Sequence, residues 1–113
     1  MADALVIYDG MGPLPQSATF KAPSDGPVIF ILSGTARTAN AACMTGISLS
    51  LDGTPIGNPA MCWANQNNNH IPMAPTFIPY DNLTFGEHTI EINNANGDTI
   101  TDVNDYIQVT LLY

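Results

Sequence analysis

Basic side chains are nearly missing from this chain. Lys21 and Arg37 stand alone against ten acidic residues, and the formal net charge is -8. Recognition of nucleic acid needs clustered Lys and Arg to neutralise phosphates, so that class of partner is excluded. An anionic membrane surface is disfavoured for the same reason. Charge of either sign is scarce: Asp, Glu, Lys and Arg make up 11% of residues, less than half the roughly 25% usual in globular domains. The surface must therefore be built from Asn, Ser, Thr, Gln and backbone. No apolar run is longer than that of Val28 to Leu32, far short of the ~20 residues that a spanning helix needs, so no membrane insertion is expected. The opening residues, Met1-Ala2-Asp3-Ala4-Leu5, lack the basic and apolar regions of a secretory leader. Either a cytoplasmic location or export without a cleavable leader is expected.

Helical periodicity is also absent. Gly or Pro interrupts almost every window of a dozen residues, and both break helices. Hydrophobic residues nevertheless reach 45% in a chain of 113 residues. That is enough for one core in a single domain spanning 1–113. Short β-branched and aromatic runs recur about every ten residues, the mark of a sandwich or barrel. The pattern predicts strands near 4–8, 17–21, 27–35, 43–51, 54–63, 69–78, 86–93 and 105–113. The expected fold is all-β, a two-sheet antiparallel jelly-roll sandwich of about eight strands. Val28-Ile29-Phe30-Ile31-Leu32 is apolar at every position, as a strand buried on both faces would be. It is placed between the core and a subunit interface, and a homo-oligomer, foremost a trimer, is expected. Phe30, Tyr106, Leu112 and Tyr113 are the candidate interface residues.

Asp52-Gly53, between two alternating runs, predicts a two-residue hairpin turn. Counting back from it sets Leu51 opposite Thr54, Ser50 opposite Pro55 and Cys43 opposite Cys62. Proline cannot donate to a ladder, so Pro55 and Pro59 predict an edge strand. A Cys43–Cys62 disulfide is geometrically open in this register. Gly57, Pro59 and Ala60 also suggest a bulge that would change the pairing, and two buried thiols acting as small hydrophobes are the alternative. No Cys–His spacing suited to zinc is present.

Two segments carry site chemistry. In the first, Trp63 is followed by Asn65, Gln66, Asn67, Asn68, Asn69 and His70. An aromatic face stacks on the apolar side of a sugar ring, while amides donate and accept without net charge. A neutral glycan is the matching partner. The alternative is a polar loop with Trp63 turned into the core. The second segment holds Asp98, Asp102, Asn104 and Asp105, oxygen donors of the kind calcium takes. The same residues build tight turns, and no cofactor is expected, with calcium kept as the metal to test. His88 shares strand parity with Ile90 and Ile92 and reads as a satisfied buried histidine. No nucleophile motif is present, so no enzymatic activity is expected.

Leu83-Thr84-Phe85-Gly86-Glu87-His88-Thr89-Ile90, the run Thr101-Asp102-Val103-Asn104-Asp105-Tyr106 into the last strand, and Ile47 to Gly57 together resemble small bacterial and phage jelly-roll domains of the tumour-necrosis-factor and complement-head type. That resemblance implies a trimer, and a role either as a lectin or as the head of a fibre, particle or larger complex. Asp102-Val103-Asn104-Asp105 further resembles the late loop of calcium-dependent bacterial fucose and mannose lectins. Ile100 and Asn96 stand where that family has acids, and the chain ends in Leu112-Tyr113 rather than Gly. The likeness carries over at most one calcium site, through Asp102, Asn104 and Asp105. The function expected is a non-catalytic, lectin-like jelly-roll module. A structural assembly head is the alternative.

Overall fold

The computed structural model describes residues 3–113. Nine strands and no helix occur among them: β1 Ala4–Met11, β2 Gln16–Ala22, β3 Gly26–Thr38, β4 Cys43–Leu51, β5 Thr54–Ala64, β6 Ile71–Leu83, β7 Gly86–Asn94, β8 Thr99–Ile100 and β9 Tyr106–Leu112. One sheet has the order β1-β9-β3-β6, with β8 paired to the far end of β3, and the other has the order β2-β7-β4-β5. Every pairing is antiparallel. Setting aside the two-residue β8, the eight remaining strands are dealt between two sheets in the order of a jelly roll. The expected fold class is the observed one.

The core lies between the sheets and follows from strand alternation. Val28, Phe30 and Leu32 of β3 point inward and are at most 3% exposed, as are Ile47 and Leu49 of β4, Ile90 and Ile92 of β7, and Ile107, Val109 and Leu111 of β9. Each such side chain contributes about 1.5–3 kcal/mol relative to leaving it in water. Phe30 and Phe20 meet edge to face across the interior, with centroids 6.2 Å apart. Phe30 is therefore core and not interface, a correction to the sequence expectation. The uniform apolar run conceals an ordinary alternation. Ile29 and Ile31 are the outward members, half-buried on the open face of the sheet.

The prolines sort by position. β5 and β6 each end a sheet, and Pro55, Pro59, Pro72, Pro75 and Pro79 all lie on these two strands. A residue with no N–H does least harm where one side of the strand has no partner. The hairpin forms as expected, with Leu51 opposite Thr54 and Ser50 opposite Pro55. Beyond Leu49–Ile56 the ladder resumes at Ile47–Ala60, so three residues of β5 face one of β4. Gly57, at φ 62°, makes this bulge. Its missing side chain admits Ile78, whose Cγ2 would lie 2.6 Å from a Cβ there. The two-residue shift sets Cys43 opposite Ala64 and Cys62 opposite Thr45. The Cys43–Cys62 pairing is thus displaced, and both cysteines are free thiols. An even shift leaves inward residues inward, so the fold keeps its core while the facing partners change.

The last strand ends one residue earlier than the pattern suggests, yet Tyr113 is still tied down. Its N–H donates to the Asp3 carbonyl at 3.0 Å, and the Asp3 N–H donates to the Tyr113 carbonyl at 3.1 Å. β8 is missing from the sequence reading because two residues leave no alternation to detect.

Candidate functional site

Trp63 stands on the outward side of β5, directly opposite Met44 of β4. Both are open to solvent, at 54% and 42% exposure. Side chains in directly opposed positions lie about 4.5–5.5 Å apart at Cβ, so indole and thioether form one apolar ledge. The indole is oriented: its Nε1–H donates to Asn65 Oδ1 at 2.9 Å. Gly46, the next outward position on β4, leaves room for the Met61 sulfur, which a Cβ at Gly46 would strike. The ledge therefore continues as Trp63, Met44 and Met61. Trp63 is not turned into the core. Sequence parity could not find Met44, because the bulge moves it from the position facing Met61 to the one facing Trp63.

The amide loop after β5 divides between two environments. Asn65 serves the indole, and Asn69 Nδ2 donates to Gln66 Oε1 at 3.5 Å. Gln66, Asn67, Asn68 and Asn69 are exposed. The Asn67 carbonyl accepts from the Arg37 guanidinium at 3.3 Å. His70 leaves the group altogether. Its Nδ1 lies 2.7 Å from Asp105 Oδ1 and its Nε2 lies 3.8 Å from Asp102 Oδ2. Asp102 Oδ2 is also 3.8 Å from Arg37 Nε. The two sequence segments are thus joined in space, through His70 and through Arg37, which no sequence motif singles out.

Asp105 is the hub of this junction. Its side chain is fully buried, and every contact it makes comes from a donor. Oδ1 accepts from the Thr35 hydroxyl at 2.9 Å as well as from His70, and Oδ2 accepts from the Asp102 N–H at 2.8 Å. The Asp105 carbonyl accepts from Gly12 N–H at 2.8 Å. The side chain so links β3, the amide loop and the turn before β9, and the residue's backbone carbonyl adds the chain just past β1. The turn closes on itself: Asn104 N–H donates to Asp102 Oδ1 at 2.8 Å, and Asp105 N–H to the Asp102 carbonyl at 3.0 Å.

His70, Asp102 and Asp105 offer ligand atoms within 4.8 Å of one another. Asp98 is not in that group. Its carboxylate accepts from Asn40 Nδ2 at 3.0 Å. Of the acidic residues expected from sequence, Asp102 and Asp105 are thus brought together, with His70 beside them, while Asp98 lies outside their cluster. A cation there would compete with Arg37 for Asp102 and with three donors for Asp105.

The remaining interface candidates lie on or beside the outer face of the β1-β9-β3-β6 sheet. Tyr106 is exposed and Leu112 half-buried. The Tyr106 hydroxyl donates to Asp9 Oδ1, and this carboxylate raises the phenol pKa above its usual value. Register places Val6 and Thr110 in one row with Ile31 and Phe77, and Ala4 and Leu112 in the next with Ile29 and Pro79. Val6 and Phe77 are 52% and 61% exposed. Tyr113 packs instead against the rim of the core. No pocket opens among the described residues.

No protein-family model matches this chain, and no curated protein matches it at a significant level. Solved structures do match. A β-glucosidase from Paenibacillus barengoltzii aligns over 98% of this chain and 10% of its own, with a TM-score of 0.52 and 12% identity. Dimeric latent PorU from Porphyromonas gingivalis aligns over 87% of this chain and 10% of its own, with a TM-score of 0.51 and 14% identity. The C-terminal domain of EclA, described as a sugar-binding protein, aligns over 96% of this chain and 76% of its own, with a TM-score of 0.50 and 15% identity. The chain spans about a tenth of the length of the first two. At these identities the likeness establishes the β-sandwich fold.

Proposed function

We propose that this domain is a non-catalytic carbohydrate-binding module whose contact surface is the outward ledge of Trp63, Met44 and Met61, flanked by the amides of Asn65 to Asn69. The carrying observation is the Trp63 indole, exposed at 54% and aimed by its bond to Asn65. A flat aromatic face held in place, with neutral donors and acceptors beside it, suits the apolar side of an uncharged sugar ring. The likeness to the EclA sugar-binding domain supports the same reading. Among the described residues the basic side chains are Lys21 and Arg37, and Arg37, which reaches the amide loop, is engaged with Asp102 and Asn67, so anionic glycans are poor partners. The two histidines are likewise occupied, His70 by Asp105 and His88 by Asp52.

A glycan array read with and without EDTA tests this. Neutral glycans are retained at millimolar strength, and retention is unchanged by EDTA or added calcium, because Asp102 and Asp105 already have their cation and donors. An array empty in both conditions rejects the reading. Loss of binding in EDTA would restore the calcium site of the fucose-lectin resemblance.

Self-association belongs to the same proposal. The uncharged rows Val6–Thr110–Ile31–Phe77 and Ala4–Leu112–Ile29–Pro79 form a contiguous apolar sheet face of the kind that marks a protein contact. A trimer through this face, with Leu112 in it and Tyr106 at its border, matches the habit of tumour-necrosis-factor-type jelly rolls. Light scattering at micromolar concentration gives a trimer mass, and a monomer mass rejects it. The alternative function, an assembly head without a small ligand, draws on this face too. A trimer combined with an empty glycan array selects that alternative.

A further inference from the structure

Near the start of β7, at the end away from the turn at 95–98, His88 sits between two acceptors. Its Nδ1 is 2.6 Å from Asp52 Oδ2, and its Nε2 is 2.8 Å from the Thr84 carbonyl and 3.2 Å from the Thr84 hydroxyl. A carboxylate and a carbonyl accept hydrogen bonds and donate none. Neutral imidazole has one N–H and one lone pair, so it donates to only one of the two, and with the N–H on Nδ1 its bare Nε2 accepts from the Thr84 hydroxyl while the Thr84 carbonyl goes without its donor; imidazolium satisfies both acceptors. We propose that His88 is a proton-operated latch: its imidazolium bonds the Asp52–Gly53 hairpin and the β6–β7 turn to β7 at once, and loss of the proton gives up one of the two bonds while both elements stay in place.

The surroundings make this contact hard to evade. The His88 side chain is 12% exposed, and its ring lies on Phe20, 5.8 Å between centroids at 30°. Rotating it into water would empty that space. Asp52 is held in place independently. Its Oδ1 accepts from Thr89 N–H at 2.9 Å, its N–H donates to the Thr89 carbonyl at 2.8 Å, and its φ is 49°. The β6–β7 turn is pinned by Asp25, whose Oδ1 accepts from Phe85 N–H at 2.6 Å. The neighbouring charges are accounted for. On β2, Phe20 faces the ring, and Lys21 stands in register with Glu87, with its ammonium 5.1 Å from the Phe85 ring centroid. Among the described residues, Asp52 is the one ionisable group in ion-pair contact with His88.

The hydrogen bond to Asp52 raises the His88 pKa above its ordinary value, aided by the Thr84 carbonyl and opposed by burial. The same bond, with that from Thr89, lowers the pKa of Asp52. Because the folded-state pKa of His88 is raised, its contribution is complete below the unfolded value of about 6.5 and is lost as pH rises through the folded value. Asp52 contributes above its unfolded value of about 3.9 and loses that contribution as pH falls through its lowered value. The latch is therefore closed between about pH 4 and 6.5 and opens on the alkaline side.

Two measurements on the full chain test this: an NMR titration of the His88 ring, and melting temperature against pH for wild type and His88→Gln. His88 titrates above 6.5. The wild-type melting temperature falls between pH 5.5 and 8.5 by about 5 °C for each unit of that elevation. His88→Gln diminishes the fall. A His88 ring titrating at or below 6.5, or an undiminished fall in His88→Gln, overturns the latch. Should His88→Gln not fold, the wild-type titration decides.

Discussion

Asp105→Ala lowers the melting temperature by about 10–20 °C. The carboxylate is fully buried and takes three donors: the Thr35 hydroxyl, the His70 ring N–H and the Asp102 N–H. A hydrogen bond to a charged group contributes about 1.5–3 kcal/mol net, and each donor left unpaired in the interior costs about 1–3 kcal/mol more. His70 is partly exposed and water recovers part of its loss, so about 3–5 kcal/mol is expected for the whole site. In a domain of this size each kcal/mol moves the melting temperature by roughly 4 °C. The local consequence is as large as the global one. Without the Asp105 carboxylate the amide loop loses the anchor of His70, and the Asp102 N–H and the Thr35 hydroxyl lose their acceptor. Asn104→Ala is the control, since only the exposed Asn104 backbone N–H is used; it stays within about 0.5 kcal/mol of wild type. Thermal denaturation followed by circular dichroism reads both. An Asp105→Ala protein melting within 2–3 °C of wild type, roughly the effect of a surface change, would show that the junction carries no such energy.

The second large effect concerns binding. For glycans retained on the array, Trp63→Ala weakens affinity by about 30-fold. An aromatic side chain offers 150–250 Å² of surface. Stacking one face removes about 80 Å² from water, which at about 25 cal/mol/Å² is about 2 kcal/mol, or roughly 30-fold in Kd. Trp63→Phe keeps a smaller face and loses the bond to Asn65, so its affinity falls between the two. His70→Ala separates this reading from the one drawn on sequence alone. The sequence groups His70 with the amides as a sugar ligand. In the fold its ring is spent on Asp105, so the variant loses stability with little direct loss of affinity at temperatures where it remains folded. Isothermal titration calorimetry on the three folded variants resolves these outcomes. A Trp63→Ala protein that binds as wild type would leave the ledge without a function.

Alternation, turn chemistry and composition decided a good deal without tertiary structure. Period-two patterning placed eight strands within a few residues, because an amphipathic strand in a two-sheet sandwich can bury only one set of alternate side chains. Asp52-Gly53 fixed its hairpin, because that turn needs positive φ at both positions and these residues tolerate it. Pro55 and Pro59 marked an edge, because the missing N–H is a property of the residue and not of its surroundings.

Only the folded chain decided which residues meet. The bulge at Gly57 exists because Ile78, 21 positions away in the numbering, fills the space its side chain would need. Its two-residue shift parted Cys43 from Cys62 and set Met44 beside Trp63. Phe30 and Ile31 are neighbours of like character, yet one is core and the other surface, because the direction in which a strand's odd and even residues face is settled by the sheet that covers it. The Asp105 junction lies deeper still beyond sequence reach. Thr35, His70 and Asp105 are brought together by β3, the loop after β5 and the turn before β9, and no local rule carries information across separations of 35 and 70 residues. Hydrogen-bond partners are chosen by distance in space, and distance in space is a property of the whole jelly roll.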